Sequence, residues 1–271
     1  RRTHPEIETE LVTMKTTGDM ILDRTLDKIG GKGLFVKELD RALLNNEVDI
    51  TVHSFKDMPM EVDPRLPIVA VSSREDPRDV LVLPQGQTEI DFSKPIGCSS
   101  ARRAIQLRRL WPQCRVAPVR GNVLTRLRKL DSGEFSALVL AYAGLKRLGL
   151  EKRISRVFSP EEILPAACQG MLAVQARADF DASFLQGFHD PDAFAIAQAE
   201  RSFVRTLDGG CSVPVAAYGQ LQGDKILLTG LYVDDTTHTL QIRSKTGERS
   251  AAAALGRELA LEMRQGGGKH G

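Results

Sequence analysis

The sequence predicts an α/β protein with two lobes built on mostly parallel sheets, followed by a smaller α+β domain with an antiparallel sheet. Short apolar runs such as 137–141 alternate with amphipathic helical stretches, as strand and helix units do when they share a sheet. Turns rich in glycine, serine or arginine follow these runs, at the place where open sheets bind ligands. After residue 214, strand patterns succeed one another at hairpin spacing, which indicates a separate antiparallel sheet.

The composition is that of an ordinary globular protein. Of its 271 residues, 42% are hydrophobic and 27% charged, which suits roughly two domains or three small ones. No apolar run approaches the ~20 residues that span a bilayer, and we expect no membrane partner. The net charge is only +2 and the basic residues lack interleaved aromatics, so we expect no nucleic-acid partner.

The four cysteines, Cys98, Cys114, Cys168 and Cys211, lie far apart without a CxxC spacing. This spacing supports neither a zinc site nor a disulfide framework, so we expect no metal and a reducing, cytoplasmic setting. Cys211 stands apart because two glycines precede it and a proline soon follows, which indicates a turn with unusual backbone angles. It is either a small apolar filler or a thiol held in a cleft to form a covalent bond.

The first lobe begins with residues 7–14, whose alternation predicts a strand with one buried face. A glycine-rich turn then carries Lys28 and Lys32 and leads into an amphipathic helix over 36–44. The turn leaves backbone N–H groups free for an anion, but no Lys-Ser or Lys-Thr completes a Walker A motif.

A short buried strand over 49–54 ends in Ser54, Lys56 and Asp57. A neighbouring lysine and aspartate are often an ordinary surface pair. Here apolar residues enclose the pair, including Phe55 and Met58, which favours the wall of a ligand site at the carboxyl end of the strand.

The second lobe begins with an apolar strand over 79–83 and continues through a run that ends in Ser99, Ser100, Arg102 and Arg103. The serines cap a helix that continues to residue 110, and the two arginines in its first turn oppose the helix dipole. A bound carboxylate or phosphate would remove this conflict; the alternative is that both arginines are solvated.

Further arginines follow the next strands. Arg120 ends a strand over 116–119, Arg126 lies in the helix behind it, and Arg147 lies beyond the buried strand over 137–141. We expect these arginines to share one sheet edge with Arg102 and Arg103. Each guanidinium can bind a carboxylate bidentately, so the set suits a ligand with several carboxylates.

The chain then returns to the first lobe through Gln169, Gly170 and a strand over 171–175. A helix over 193–207 leads to Cys211, followed by strands over 215–220, 226–233 and 239–243 and a helix over 251–263. We therefore expect lobe 1 to comprise residues 1–72 and 168–190, lobe 2 residues 73–167, and the C-terminal α+β domain residues 191–271.

Six motifs in order closely resemble the porphobilinogen deaminase (hydroxymethylbilane synthase) family, from about residue 13 to the last helix. They are Gly30-Gly31-Lys32-Gly33-Leu34-Phe35, Val52-His53-Ser54-Phe55-Lys56-Asp57, Ser99-Ser100-Ala101-Arg102-Arg103, Arg120-Gly121-Asn122-Val123, Gln169-Gly170 and Gly209-Gly210-Cys211-Ser212-Val213-Pro214. The resemblance implies two periplasmic-binding-protein-like lobes with the cleft between them, and a monomer in the bacterial cytosol, or in the plastid stroma of a plant.

The resemblance also implies an activity. Members of the family join four porphobilinogen molecules with loss of ammonia to give hydroxymethylbilane, a step of tetrapyrrole (haem or chlorophyll) biosynthesis. The chain grows on a dipyrromethane cofactor held by a thioether, which falls on Cys211, and the catalytic aspartate falls on Asp57. A carboxylate there can stabilise the cation left when ammonia departs.

Further roles follow by motif. Residues matched to cofactor binding are Ser54, Lys56, Ser99, Ser100, Arg102, Arg103, Gln169 and Gly170. Residues matched to substrate binding are Arg120, Arg126, Arg147, Lys28 and Lys32.

Two departures from the family pattern bear on these expectations. The chain starts after the family's first strand and its Gly-Thr/Ser-Arg-x-Ser motif, so the N-terminal strand of lobe 1 is either absent from this sequence or lacking in the protein. Cys98 stands where the family often has threonine, and a thiol is the poorer hydrogen-bond donor.

Two other functions stay open on the residues alone. A non-catalytic protein of this fold could capture a polycarboxylate, but it would give Asp57 and the Cys211 turn no role. A thiol-dependent enzyme could use Cys211 as nucleophile with His53, His189 or His238 as base, although no triad pattern is present.

Overall fold

The computed structural model describes residues 4–14, 36–208, 214–234 and 239–266. Residues 37–176 form the helices and strands of the first two sheets. In chain order they are α1 Lys37–Leu44, β1 Ile50–Ser54, β2 Ile68–Val71, β3 Asp79–Val82, β4 Ile96–Gly97, α2 Ala101–Leu110, β5 Val116–Ala117, α3 Val123–Asp131, β6 Ala137–Ala141, α4 Tyr142–Arg147, β7 Arg156–Val157 and β8 Leu172–Ala176. The C-terminal part consists of α5 Pro191–Thr206, β9 Ala216–Gln222, β10 Lys225–Val233, β11 Leu240–Glu248 and α6 Ala252–Gly266.

The described strands form three sheets, which confirms the α/β class and the antiparallel C-terminal sheet. The first has the order β1-β8-β2, the second β5-β4-β6-β3-β7 and the third β11-β10-β9. In the second sheet β4 pairs parallel with β5 and β6, while β3 pairs antiparallel with β6 and β7. In the first sheet β8 lies antiparallel between β1 and β2. Among the described strands, the first sheet is thus paired antiparallel and the second is mixed, because a strand that returns from the other lobe enters in the opposite direction.

The strand predicted over 7–14 is wrong. These residues have no strand conformation, and Leu11 is 89% exposed. Alternating polarity makes a strand only where a neighbouring edge supplies hydrogen bonds, and no described strand pairs with this stretch.

The C-terminal domain packs α5 and α6 together against one face of its sheet. Phe203, Leu255 and Leu259 are at most 3% exposed in the shared core. Gly256 lets the helices approach closely, because a Cβ there would lie 2.1 Å from the Ala199 carbonyl oxygen. The close packing fixes α5, whose carboxyl end leads to the Cys211 turn.

Two segments, 72–78 and 164–171, connect the first two sheets and lie side by side. The Glu75 N–H donates to the Gly170 carbonyl at 3.2 Å, and Arg74 Nε donates to the Gln169 carbonyl at 2.9 Å. Gly170 has a φ of +94°, and a Cβ there would lie 2.2 Å from the Glu75 carbonyl oxygen. Only glycine fits this crossing, which brings side chains of both lobes to one place.

Among the described helices, none is long and apolar enough to cross a membrane.

Candidate active site

The turn after β1 presents Asp57 to the solvent, next to the half-buried Lys56. β1 ends at Ser54, and a single 3₁₀ turn over Phe55–Asp57 follows. Phe55 and Met58 are 1% and 3% exposed in the lobe 1 core and anchor this turn on both sides, while Asp57 is exposed. The half-buried Lys56 donates from Nζ to Gln169 Oε1 at 3.3 Å. Burial lowers the pKa of the Lys56 amine, and the Asp57 carboxylate opposes that shift.

Arg102 and Arg103 lie in the first turn of α2, where Ser100 caps the helix by accepting from the Arg103 N–H at 3.4 Å. Both arginines are buried, with 4% and 7% exposure, and share the carboxylate of Asp79. Arg102 Nη1 lies 2.7 Å from Asp79 Oδ2, and Arg103 Nη2 lies 2.7 Å from Oδ1. One carboxylate thus neutralises half of the charge of two buried guanidiniums.

This pairing resolves the conflict that the sequence posed at the start of α2. The two arginines are not solvated, and their first partner is an internal carboxylate rather than a bound anion. The sequence reasoning missed Asp79. A signal was present, because a carboxylate that opens a fully buried strand needs a charged partner.

Gln169 connects the two halves of the site. Its side-chain oxygen accepts from Lys56 Nζ, and its Nε2 donates to Asp79 Oδ1 at 2.8 Å and to the Pro77 carbonyl at 2.6 Å. The hydrogen bonds therefore run without a break from the Lys56 turn in lobe 1 to the paired arginines in lobe 2.

Five residues predicted from the sequence line one cleft between the lobes, with a volume of about 50 Å³. They are Ser54, Lys56, Arg147, Gln169 and Gly170. Arg147 reaches across from α4, and its Nη2 donates to the Gly170 carbonyl at 2.7 Å. The structure thus brings these predicted residues together.

Arg126, in the helix after β5, is an electrostatic neighbour of Arg103, Arg120 and Asp57. Asn122 caps α3, and Arg126 Nε donates to the Gly121 carbonyl at 2.7 Å. Burial lowers the pKa of Arg126, and the charges of Arg103 and Arg120 act in the same direction.

Ser99 connects the turn before α2 to the turn before α3. Its hydroxyl accepts from the Val119 N–H at 3.0 Å and donates to the Val119 carbonyl at 2.7 Å.

The charge of this site fits a ligand with several carboxylates. Among the described residues, Lys56 and Arg147 line the cleft, and Arg102, Arg103, Arg120 and Arg126 form a cluster of interacting charges next to it. The carboxylates of this cluster are Asp57 and Asp79, so these six cations exceed these two anions by four charges. Two linked pyrrole units, each with an acetate and a propionate, carry four carboxylates. The donor set therefore fits a dipyrromethane group, which would balance the excess.

Three predicted residues, Cys211, Lys28 and Lys32, lie outside the described residues, as does His238. The described histidines have other partners: His53 Nε2 lies 2.9 Å from Thr51 Oγ1, and His189 Nδ1 accepts from the Val71 N–H. Neither contact is that of a catalytic base.

The three described cysteines, Cys98, Cys114 and Cys168, are buried, and the Cys98 thiol donates to the Ser100 carbonyl at 3.6 Å.

A second buried ion pair, also missed, holds the C-terminal domain against the crossing segments. Arg74 Nη1 lies 2.6 Å from Glu200 Oε1, with both side chains almost fully buried. Glu200 also accepts from the backbone N–H groups of Cys168 and Gly219 at 2.6 and 2.7 Å. The pair and these hydrogen bonds therefore connect the segments 72–78 and 164–171 with α5 and β9. Arg74 stands in a polar run whose composition gave no signal of burial.

Replacing Asp79 by asparagine should destabilise the protein by about 3–5 kcal/mol, because two buried guanidiniums would lose their shared counter-ion. Burial alone would raise the pKa of the Asp79 carboxyl, but Arg102 and Arg103 outweigh it and hold the pKa well below its ordinary value. The stabilisation is therefore complete above the unfolded pKa of about 4 and lost as the pH falls below it. Urea unfolding of both proteins at a series of pH values measures the difference.

Asp76→Asn is the matched control, since Asp76 makes a similar contact with Arg78 Nη2 at 2.6 Å nearer the solvent. It should cost at most about 1 kcal/mol. Equal losses for Asp76→Asn and Asp79→Asn, or a difference between wild type and Asp79→Asn that does not shrink in acid, would contradict this account of Asp79.

Comparison with known proteins identifies relatives over nearly the whole chain. The family model described as "Porphobilinogen deaminase, dipyromethane cofactor binding domain" matches residues 1–184, and "Porphobilinogen deaminase, C-terminal domain" matches residues 194–265. Curated proteins named porphobilinogen deaminase are 68% identical in Acetivibrio thermocellus, over 98% of this chain and 91% of that protein, and 65% identical in Alkaliphilus oremlandii, over 100% and 91%. The porphobilinogen deaminase of Chromobacterium violaceum is 44% identical, over 98% and 87%.

Among solved structures, the periplasmic aliphatic sulphonate binding protein SsuA from Escherichia coli is similar at 14% identity. The match covers 63% of this chain and 61% of that chain, with a TM-score of 0.37. So distant a match adds nothing on function.

Proposed function

This chain belongs to the porphobilinogen deaminase family, and from that premise we propose how its residues perform the family's reaction. The enzyme joins four porphobilinogen molecules and one water into hydroxymethylbilane and releases four ammonia molecules, with a dipyrromethane cofactor as primer; the water supplies the hydroxyl group when the product leaves the primer. In each step the bond between the aminomethyl carbon and nitrogen breaks and ammonia leaves. A carbon–carbon bond to a pyrrole α-carbon then forms, and that carbon loses its proton. When bound, the cofactor supplies the terminal pyrrole on which the chain is extended.

The exposed carboxylate of Asp57 is the catalytic group in this proposal. Loss of ammonia leaves a cationic azafulvene, and a carboxylate at hydrogen-bond distance from its pyrrole N–H stabilises that charge. The same carboxylate can accept a proton as the reaction proceeds. Asp57 suits this role because the 3₁₀ turn exposes it while Phe55 and Met58 anchor its backbone in the core.

The cations around Asp57 hold the acidic side chains of cofactor and substrate. We assign Arg120, Arg126 and Arg147 to the substrate and growing chain. We assign the cofactor to Ser54, Lys56, Ser99, Ser100, Arg102, Arg103, Gln169 and Gly170, with Cys211 as its thioether attachment. Lys28 and Lys32 complete the substrate set. The observation that carries the assignment is the excess of positive charge at the Lys56–Gln169–Asp79 junction.

The wider proposals rest on the same family membership. Lobe 1 comprises residues 1–72 and 168–190, lobe 2 residues 73–167, and the C-terminal domain residues 191–271. This division agrees with the strands of each sheet. We also propose that the protein acts as a monomer in the cytosol.

Incubation of the purified protein with porphobilinogen tests the function directly. We expect four ammonia molecules to be released per hydroxymethylbilane, measured by an ammonia assay and by the porphyrin absorbance that follows acid oxidation of the product. Binding of porphobilinogen without ammonia release would favour the polycarboxylate-binding alternative and contradict the proposal.

A further inference from the structure

Arg201 contacts the catalytic turn from the C-terminal domain. It lies on α5, near the carboxyl end that leads to the Cys211 turn. Its guanidinium carbon lies 4.8 Å from the centroid of the Phe55 ring, and its Nη2 donates to the Pro59 carbonyl. Phe55 and Pro59 stand two residues before and two residues after Asp57. One guanidinium thus contacts both ends of the segment that presents the catalytic carboxylate.

The partners of Arg201 are unusual for a half-buried arginine. Among the described residues, no carboxylate forms an ion pair with Arg201, and its Nη1 is buried without a hydrogen-bond partner. Glu200, its neighbour on the helix, is occupied by Arg74. Partial burial of a cation without a carboxylate costs folding free energy, because no opposite charge offsets the loss of hydration. Stabilisation by a salt bridge therefore does not explain why an arginine occupies position 201.

We infer that Arg201 is a positioning residue for the reaction: it fixes the Phe55–Pro59 turn so that the Asp57 carboxylate keeps its place relative to the cofactor. The ring face of Phe55 and the Pro59 carbonyl are held by one rigid, planar group, which limits rocking of the turn about β1. The inference rests on the proposed role of Asp57.

This role makes a prediction that a purely structural role does not. Arg201→Met keeps the length and packing of the side chain but removes the unpaired charge, so the melting temperature should stay the same or rise. At the same time kcat should fall by about 10- to 100-fold, as expected when a catalytic group is displaced by about 1 Å. KM should stay within about twofold, because the substrate-binding arginines are not altered. Arg201→Lys keeps the charge but not the planar group, and its kcat should be intermediate.

Arg205→Met is the matched control, since Arg205 lies one turn further along α5 and is exposed. Steady-state kinetics, thermal unfolding and intact mass are measured for wild type, Arg201→Met, Arg201→Lys and Arg205→Met. The mass reports whether Cys211 is loaded, which separates poor turnover from a missing cofactor. Stability at or above wild type, with a loaded cofactor and a reduced kcat for Arg201→Met, supports the inference.

Two results would overturn it: a kcat for Arg201→Met within about twofold of Arg205→Met, or a kcat loss that only accompanies loss of stability or of cofactor. If Arg201→Met does not fold, Arg201→Lys is judged by the same criteria. Asp57→Asn, assayed alongside, separates the two claims. An inactive Asp57→Asn with a normal Arg201→Met refutes only the positioning role, whereas an active Asp57→Asn refutes the catalytic assignment on which it rests.

Discussion

Asp57→Asn is expected to lower kcat by about 10³-fold while leaving the fold intact. Asparagine has the shape of aspartate but no negative charge, so it cannot stabilise the azafulvene cation or accept its proton. The side chain is exposed, and the turn is anchored by Phe55 and Met58 rather than by the carboxylate. The melting temperature should therefore change by no more than about 2 °C. Steady-state ammonia release and thermal unfolding measure both effects.

Glu61→Gln is the control for this experiment, because Glu61 is an exposed carboxylate four residues further along the same connection. It should keep wild-type turnover. Hydroxymethylbilane synthesis by Asp57→Asn at more than about a tenth of the wild-type rate would remove Asp57 from the mechanism.

Cys211→Ser is expected to abolish turnover altogether. Serine cannot form the thioether that holds the cofactor, so no primer would be present for chain extension. Without four carboxylates to balance it, the positive charge around the cleft would also be self-repelling, and the variant should unfold at a lower temperature than the loaded wild type. Turnover and thermal unfolding of both proteins measure the two effects.

The control is Cys114→Ala, which removes a thiol from the core of the second lobe, away from the cleft. It should keep its cofactor and its kcat, with a modest loss of stability. If Cys211→Ser retained porphobilinogen turnover, the cofactor would be attached elsewhere or not required.

Much of the local structure could be predicted from the residues. Ser100 caps α2 as expected, and the apolar run 137–141 is the buried strand β6. Both signals are local: a hydroxyl next to free backbone N–H groups, and an apolar run between polar turns. The set of cleft residues was predictable for a different reason, since it follows from the family motifs.

The missed features depend on contacts between distant parts of the chain. β8 lies antiparallel between β1 and β2 because the chain returns from the second lobe, and no periodicity reports strand direction. Asp79 and Arg103 are 24 positions apart, and Arg74 and Glu200 are 126 positions apart. β11 continues to Glu248 through polar residues because its pairing with β10 supplies the hydrogen bonds that its composition does not suggest.

We propose that the cationic cleft binds a dipyrromethane primer that is attached to Cys211 and served by Asp57. Intact mass spectrometry of the purified protein before and after thiol alkylation, with peptide mapping around Cys211, tests this proposal. We expect an added mass of two linked pyrrole units on the Cys211 peptide, which alkylation leaves unchanged. A protein that synthesises hydroxymethylbilane with an unmodified, alkylatable Cys211 would contradict it.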